Sequence, residues 1–269
     1  MTNRAAVFIG AAILIALVSV AALAPLIAPH NPTQQNLAND LAASSGEHPL
    51  GTDKLGRDLL SRILYGSRIS LLVGISTVTL SVLIGLMVGS LSGYFGGWVD
   101  QLLMRLVDIL MAFPGILLAI AFTAVLGPGL DHVVLALSLI GWTAYARLVR
   151  GEILGLKEKE FIHAAQALGG SPARVITLHM LPNLLPSLLI QATFGVAAAI
   201  ISEGSLSFLG LGAEPPTPSW GAMLNEGRQF ILVAPHLTAF PGLAIMVTVL
   251  ALNLVGDGLR DRLEKRGKS

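Results

Sequence analysis

Residues 147–183, RLVRGEILGLKEKEFIHAAQALGGSPARVITLHMLPN, form a polar island between long apolar runs and carry five of the chain's 17 Lys and Arg. From Glu152 to Leu168 the residues are good helix formers, with Ile153, Leu156, Phe161, Ala164, Ala165 and Leu168 spaced broadly at threes and fours. Gly169-Gly170-Ser171-Pro172 then stops one helix and starts another: glycine accepts positive φ, Ser171 can cap, and Pro172 suits a first helical turn. Leu181-Pro182 and Pro186 are expected to break or bend the helix that follows. Two short helices meeting at a tight glycine turn make a knob that can transmit force, a docking element rather than a catalytic one. The same features also fit an ordinary basic loop without a partner.

Outward from this island the chain is apolar. Hydrophobic residues make up 54% and charged residues 12%, whereas soluble domains run at about 25% charged. The mean hydropathy of +0.74 places the chain among polytopic membrane proteins. A helical span needs about 20 predominantly apolar residues, and six stretches qualify: Ala5 to Ile27, Ile69 to Leu91, Leu106 to Leu126, Val133 to Val149, Leu184 to Ile201 and Ala234 to Leu254. Runs this continuous predict helices, not barrel strands. The expected fold class is therefore all-α with six transmembrane helices. Residues 1–68 would supply the first helix and an outer segment, and residues 69–269 a five-helix core with its loop at about 151–183. The first run reads as an uncleaved anchor, since its apolar core is longer than that of a signal peptide and lacks a small-x-small site before Pro25.

Basic residues set the orientation. With the N-terminus in the cytoplasm, Arg4, Arg105, the five of the central loop and the five of the tail (Arg260, Arg262, Lys265, Arg266, Lys268) lie inside. Lys54, Arg57, Arg62, Arg68 and Arg228 lie outside, so the split is 12 against 5. Both termini and the 147–183 loop are then cytoplasmic. A net charge of +1 gives no reason to expect nucleic acid, and the absence of Cys excludes disulfides and thiolate chemistry.

The outer segment HPLGTDKLGRDLLSRILY, His48 to Tyr65, combines turn residues with an amphipathic pattern. Leu59, Leu60, Ile63 and Leu64 fall on one side and Arg57, Asp58, Ser61 and Arg62 on the other, which predicts an interfacial helix along the outer surface. A Pro-rich loop from Glu214 to Gly221 is expected to shape the outer mouth, with Trp220 at the membrane border. Within the spans Asp108 and Glu203 are the clearest ionisable groups; both lie near helix ends, so capping or interhelical pairing is expected, not a proton relay. Gly85, Gly89 and Gly93 form a small-xxx-small ridge suited to close helix approach.

Enzymatic readings find little support. The six His (His30, His48, His132, His163, His179, His236) make no HExxH pair or other short ligand spacing, so no metal site is expected. Gly267-Lys268-Ser269 imitates the end of a phosphate loop, but Arg262 occupies the earlier glycine position and no helix can follow. An ion-coupled secondary transporter would show discontinuous helices in two related halves, and no such repeat is evident.

The island and four further blocks carry a resemblance over nearly the whole chain. His163-Ala164-Ala165, Gly169 and Leu181-Pro182 match the spacing of the loop by which ABC-transporter permeases press into a cleft on their ATPase. The further blocks are His48-Pro-Leu-Gly-Thr-Asp53 with Gly56-Arg-Asp58 and Ser61-Arg62; Gly96-Gly-Trp-Val-Asp100 with Met104-Arg-Leu-Val-Asp108 and Phe113-Pro114; Ser205 to Gly212 with Pro215 to Gly221; and Gly256-Asp-Gly-Leu-Arg-Asp261. Together they resemble the dipeptide, oligopeptide and nickel group of ABC importer permeases, bacterial inner-membrane proteins. The resemblance implies a type I importer fold whose coupling contacts fall on His163, Ala164, Ala165, Leu168, Gly169, Ser171, Pro172, Leu181 and Pro182. It assigns outer partner contacts to Gly51, Thr52, Asp53, Gly56, Arg57, Asp58 and Trp220. The implied partners are a homologous permease, two ATP-binding subunits, an extracytoplasmic solute-binding protein and membrane lipid. The chain itself would bind no cofactor, ATP and Mg being held by the ATPases. The implied cargo is short peptides, or alternatively chelated nickel or glutathione-like solutes. One departure stands at His163, where the family usually has glutamate; a neutral imidazole offers a weaker, pH-sensitive contact.

Overall fold

The computed structural model describes residues 4–266; Lys268 and the Gly267-Lys268-Ser269 sequence lie outside the described residues. The helices are α1 (Arg4–Ile27), α2 (Leu59–Phe95), α3 (Gly97–Met111), α4 (Gly115–Leu126), α5 (Leu130–Lys157), α6 (Glu160–Ala167), α7 (Pro172–Arg174), α8 (Leu181–Phe208), α9 (Trp220–Gly227) and α10 (His236–Arg266), with a π-helical segment, Val175–Met180, joining α7 to α8. Five helices are long and apolar enough to cross a membrane, and α3 with α4 forms a sixth candidate bent by 85°.

The order of contacts fixes how the chain threads. Along α2, Ser81, Gly85, Gly89 and Gly93 meet Gly141, Tyr145, Val149 and Ile153 of α5 in the same direction, so α2 and α5 run parallel. The chain leaving α2 must return to the starting end before α5 begins, and α3 with α4 makes that return. α8 runs antiparallel to α2, with Gly74 beside Ile200 and Gly195 beside Val78. α10 is antiparallel to α8, Gly256 meeting Phe194 and Gly204 meeting Ile245, and α1 is antiparallel to α10, with Gly258 against Val7 and Gly10 against Leu254. Both described ends of the chain therefore lie at the end of the bundle that carries the 147–183 loop. The segment 28–58 and α9 build a head at the other end.

Three expectations are revised. The third span, read as one helix from Leu106 to Leu126, is broken at Ala112-Phe113-Pro114. Pro114 lacks an N–H and restricts Phe113, so the helix cannot continue; α4 alone, at 12 residues, reaches only about 18 Å. The interfacial helix expected between His48 and Tyr65 is absent as a separate element, because residues 59–65 are the first turns of the 37-residue α2. Of the break or bend expected at Leu181-Pro182 and Pro186, the break is absent, since residues 172–208 run on as a single candidate span. The wider π turn ends at Met180 and Pro182 falls in the first turn of α8, where a missing N–H costs little.

The glycine ridge packs as read. A Cβ on Gly85 would lie 2.5 Å from Tyr145 Cβ, and one on Gly89 2.5 Å from the Ala146 carbonyl oxygen and 2.7 Å from Val149 Cβ. Lipid is as apolar as leucine, so such close backbone contact, not water exclusion, holds the pair. Gly89→Leu is expected to prise α2 from α5 at a cost of about 3 kcal/mol, read as a lowered unfolding temperature in detergent. Gly151→Ala, which meets nothing within 4 Å, should leave it unchanged.

Candidate functional site

At the loop end, α6 projects from the bundle on a buried footing. Ile162 is wholly buried and packs in one cluster with Val149, Ile153, Val175, Met180 and Leu184 of α5, the π segment and α8. Its neighbours point outward: His163 and Ala164 are exposed, Phe161 is 46% exposed and Leu168 90%. After α6 the chain reverses at Gly169, whose φ of +80° is open to glycine and strained for other residues. The Gly169 N–H donates to the Gln166 carbonyl at 2.9 Å, and that of Gly170 to Ala165 at 3.0 Å. Ser171 Oγ accepts from the Arg174 N–H at 3.4 Å, capping the next helix with Pro172 in its first turn.

The fold thus gathers His163, Ala164, Leu168, Gly169, Ser171 and Pro172 on one exposed knob. Ala165 faces inward, half-buried against the cluster under α6. Leu181 packs on the same cluster and Pro182 is exposed, more than a turn further along. The footing residue Ile162 falls outside the apolar spacing read from the sequence. Three polar contacts stiffen the base. Arg150 of α5 makes a bidentate pair with Asp100 of α3, both contacts at 2.6 Å, and Lys157 Nζ donates to the Tyr94 carbonyl at the end of α2 at 2.9 Å. Ser187 of α8 donates to Glu152 at 2.8 Å. These contacts tie α5, on which the knob rests, to α3, α2 and α8. Asp108 meets the expectation of interhelical pairing, with Arg147 Nη2 at 2.5 Å, but both side chains are about half exposed, so the pair adds little stability.

The head is built on Asp53. Its carboxylate accepts from the Leu55 N–H (2.9 Å), the Arg57 N–H (3.0 Å) and Arg57 Nε (2.6 Å). Gly56, at φ +67°, turns the chain where a Cβ would strike the Asn36 carbonyl oxygen at 1.8 Å. Thr52 Oγ1 accepts from the Ala42 N–H at 2.9 Å and donates to the Asn39 carbonyl. Gly51 is buried beside it. Asp58 then caps α2 through the Ser61 N–H at 2.8 Å. The side read as solvent-facing is the inner one: Arg57 and Arg62 are 1% exposed, and both reach Glu226 of α9, at 2.6 and 3.2 Å. Paired carboxylates make this burial affordable. Trp220, expected at the membrane border, is 1% exposed and donates from Nε1 to the Ile63 carbonyl at 3.1 Å. Its ring lies over Gly66, where a Cβ would intrude at 2.8 Å, and it packs with Leu59, Met223, Ala234 and Leu237. Glu203 sits just beneath, 1% exposed, and takes a hydrogen bond from Ser207 on its own helix at 2.7 Å.

Between knob and head, halfway along α2, α5 and α8, lies a cavity of about 280 Å³ lined in part by Thr77, Ser81, Tyr145, Gln191 and Ser202. Thr77 Oγ1 is buried there without a hydrogen-bond partner.

Residues 81–269 match the family model for the binding-protein-dependent transport system inner membrane component, and residues 1–43 match the N-terminal TM domain of oligopeptide transport permease C. The chain belongs to the binding-protein-dependent transport permeases. It is the transmembrane subunit of an ABC importer and a multi-pass inner-membrane protein. Importers of this family work with ATPase and binding-protein partners. The permease is 45% identical to the dipeptide transport system permease protein of Alkalihalophilus pseudofirmus over 99% of this chain and 88% of that one. It is 50% identical to the glutathione transport system permease protein of Pectobacterium atrosepticum over 84% and 75% of the two chains. With the glutathione permease of Escherichia coli O157:H7 it shares 47% identity over 100% and 87%. A chain of the MetNI methionine ABC transporter in an inward-facing form superimposes with a TM-score of 0.61 at 20% identity, covering 76% of the permease and 97% of that chain. That likeness shows the type I importer fold.

Proposed function

We propose that this permease pairs with a homologous permease to enclose a path for short peptides, and that the α6 knob couples that path to two ATP-binding subunits. The observation that carries this reading is the knob itself: an exposed apolar and polar cap, Phe161, His163, Ala164 and Leu168, seated on the cluster of α5, the π segment and α8 by a fully buried Ile162. An ATPase cleft that grips the cap would tilt α2, α5 and α8 as a unit, because close-packed cores pass on displacement instead of absorbing it. The cavity halfway along these helices, mainly apolar with Thr77, Ser81, Tyr145, Gln191 and Ser202 in its wall, supports a path that alternates between closed and open forms. The permease supplies two conformations and no chemistry of its own; ATP and Mg belong to the partner subunits.

The knob and both described ends of the chain share one end of the bundle, and the 12 of 17 Lys and Arg that the sequence assigns to that side support a cytoplasmic placement for it. The head then faces the extracytoplasmic binding protein. Peptides are the favoured cargo, because dipeptides and glutathione, named in the related permeases, share amide bonds and free carboxylates. The chain has no cysteine, so a single Leu168→Cys variant gives a clean crosslinking probe. In membranes holding the whole complex, that thiol is expected to capture an ATPase subunit. Capture of none, under conditions where the assembled complex hydrolyses ATP, would remove the coupling assignment.

A further inference from the structure

The sequence spacing of the histidines offered no metal site, yet the head brings two of them together. His30 and His48 stand 18 positions apart and their rings stack, centroids 4.7 Å apart and planes tilted by 37°. Glu47 lies beside them, so that one nitrogen of each ring and one carboxylate oxygen all fall within 4.8 Å of one another. The three line a recess of about 110 Å³ together with Asn31, Asn36 and Asp58, room enough for a cation and a water.

Two features go beyond proximity. Asp58 Oδ1 lies 2.9 Å from His48 Nδ1, while its Oδ2 accepts from both the N–H and the hydroxyl of Ser61, at 2.8 and 2.7 Å. A carboxylate so placed accepts a hydrogen bond from Nδ1–H of His48, the tautomer that leaves the lone pair on Nε2; this carboxylate-to-histidine arrangement orients the imidazoles of metal sites. Second, His30 Nδ1 is buried with no hydrogen-bond partner, although Asp58 Oδ1 is 3.7 Å away. The backbone N–H of His30 is itself pinned to Ser61 Oγ at 3.0 Å, which holds the ring at the start of α2. A desolvated nitrogen lacking a partner is unfavourable unless something fills the place.

We infer that His30, Glu47 and His48 form a binding site for a borderline divalent cation of the Zn²⁺ type on the head, with Asp58 orienting His48 from behind. Two imidazoles and one carboxylate suit Zn²⁺ or Ni²⁺ and disfavour Mg²⁺, which demands oxygen ligands in an octahedron. Tetrahedral ligands around zinc stand about 3.3 Å apart, so the three groups must close by about an ångström or more from their widest spacing. Glu47 is exposed and can swing inward. An occupied site would clip the chain after α1 to the start of α2, stiffening the head where partner contacts are expected.

The test needs no transport activity. The full-length permease, purified in detergent with a tag free of histidine, is titrated with Zn²⁺ against a chromophoric chelator. One equivalent is expected to bind, with a rise in unfolding temperature that a chelator reverses. Glu47→Gln and His30→Gln should each weaken binding by about tenfold or more, whereas His132→Gln, in a different part of the chain, should not change it. Sub-stoichiometric uptake, affinity unaltered by both site variants, or equal competition from Mg²⁺ would overturn the assignment.

Discussion

Gly169→Pro is expected to abolish solute-stimulated ATP hydrolysis in the assembled importer while leaving the permease inserted and folded. Gly169 sits at φ +80°, a value closed to proline, whose ring holds φ near −65°. Its N–H donates to Gln166, and proline has none to give. Proline also pushes the preceding residue towards extended backbone, and Leu168, at φ −76° and ψ 6°, is not extended. The turn must therefore open, swinging the exposed cap of α6 relative to α8. The damage stays local, because Ile162, Val175 and Met180 remain buried beneath and nothing lies within 4 Å of the Gly169 Cβ position. Gly169→Ala keeps the N–H and pays only for the left-handed backbone, about 1 kcal/mol, so it should retain most of the stimulation. The measurement is ATPase rate in reconstituted vesicles with and without loaded binding protein. Normal stimulation in the proline variant would contradict the coupling role of the knob.

Glu226→Ala is expected to cost about 3–5 kcal/mol of stability in the head. Arg57 and Arg62 have side chains only 2% and 1% exposed, and both rely on Glu226, with Asp53 as the second counter-charge. Removing one carboxylate leaves two buried guanidinium groups facing one acid. Arg62 already has Nε and Nη1 without a hydrogen bond, so it has no reserve of partners. Thermal unfolding in detergent measures the loss. Arg147→Ala, which breaks the half-exposed pair with Asp108, provides the contrast and should cost less than about 1 kcal/mol. Equal effects of the two substitutions would show that burial does not govern the head network.

Where sequence reading went astray, the cause was usually a partner distant along the chain. Ser61 and Arg62 lie in the first turn of α2, with Asp58 as its cap and Arg57 just before it, and a polar stripe reads the same whether it faces water or an acid brought in from elsewhere. Glu226 lies 169 positions from Arg57, beyond any local pattern. Trp220 shows the same limit: an indole near a span end reads the same whether it meets the membrane border or packs inward on the Ile63 carbonyl and Gly66. The broken third span was partly legible, since Phe113-Pro114 was in view, and apolar content alone carried the reading across it.

The amino-acid sequence by itself determined that the chain lies in the membrane, the approximate position of its crossings, the glycine ridge of α2 and the polar loop with its turn at Gly169. These are local quantities, summed over one or two dozen neighbouring residues or set by a single residue's backbone preference. Only the tertiary structure decided that Arg57 and Arg62 are buried, that α3 and α4 share one return across the bundle, that α6 stands on Ile162, and that His30 meets His48. Each of these depends on which segments the fold places side by side, and electrostatic and packing energies act through space between atoms a few ångströms apart, whatever their separation along the chain.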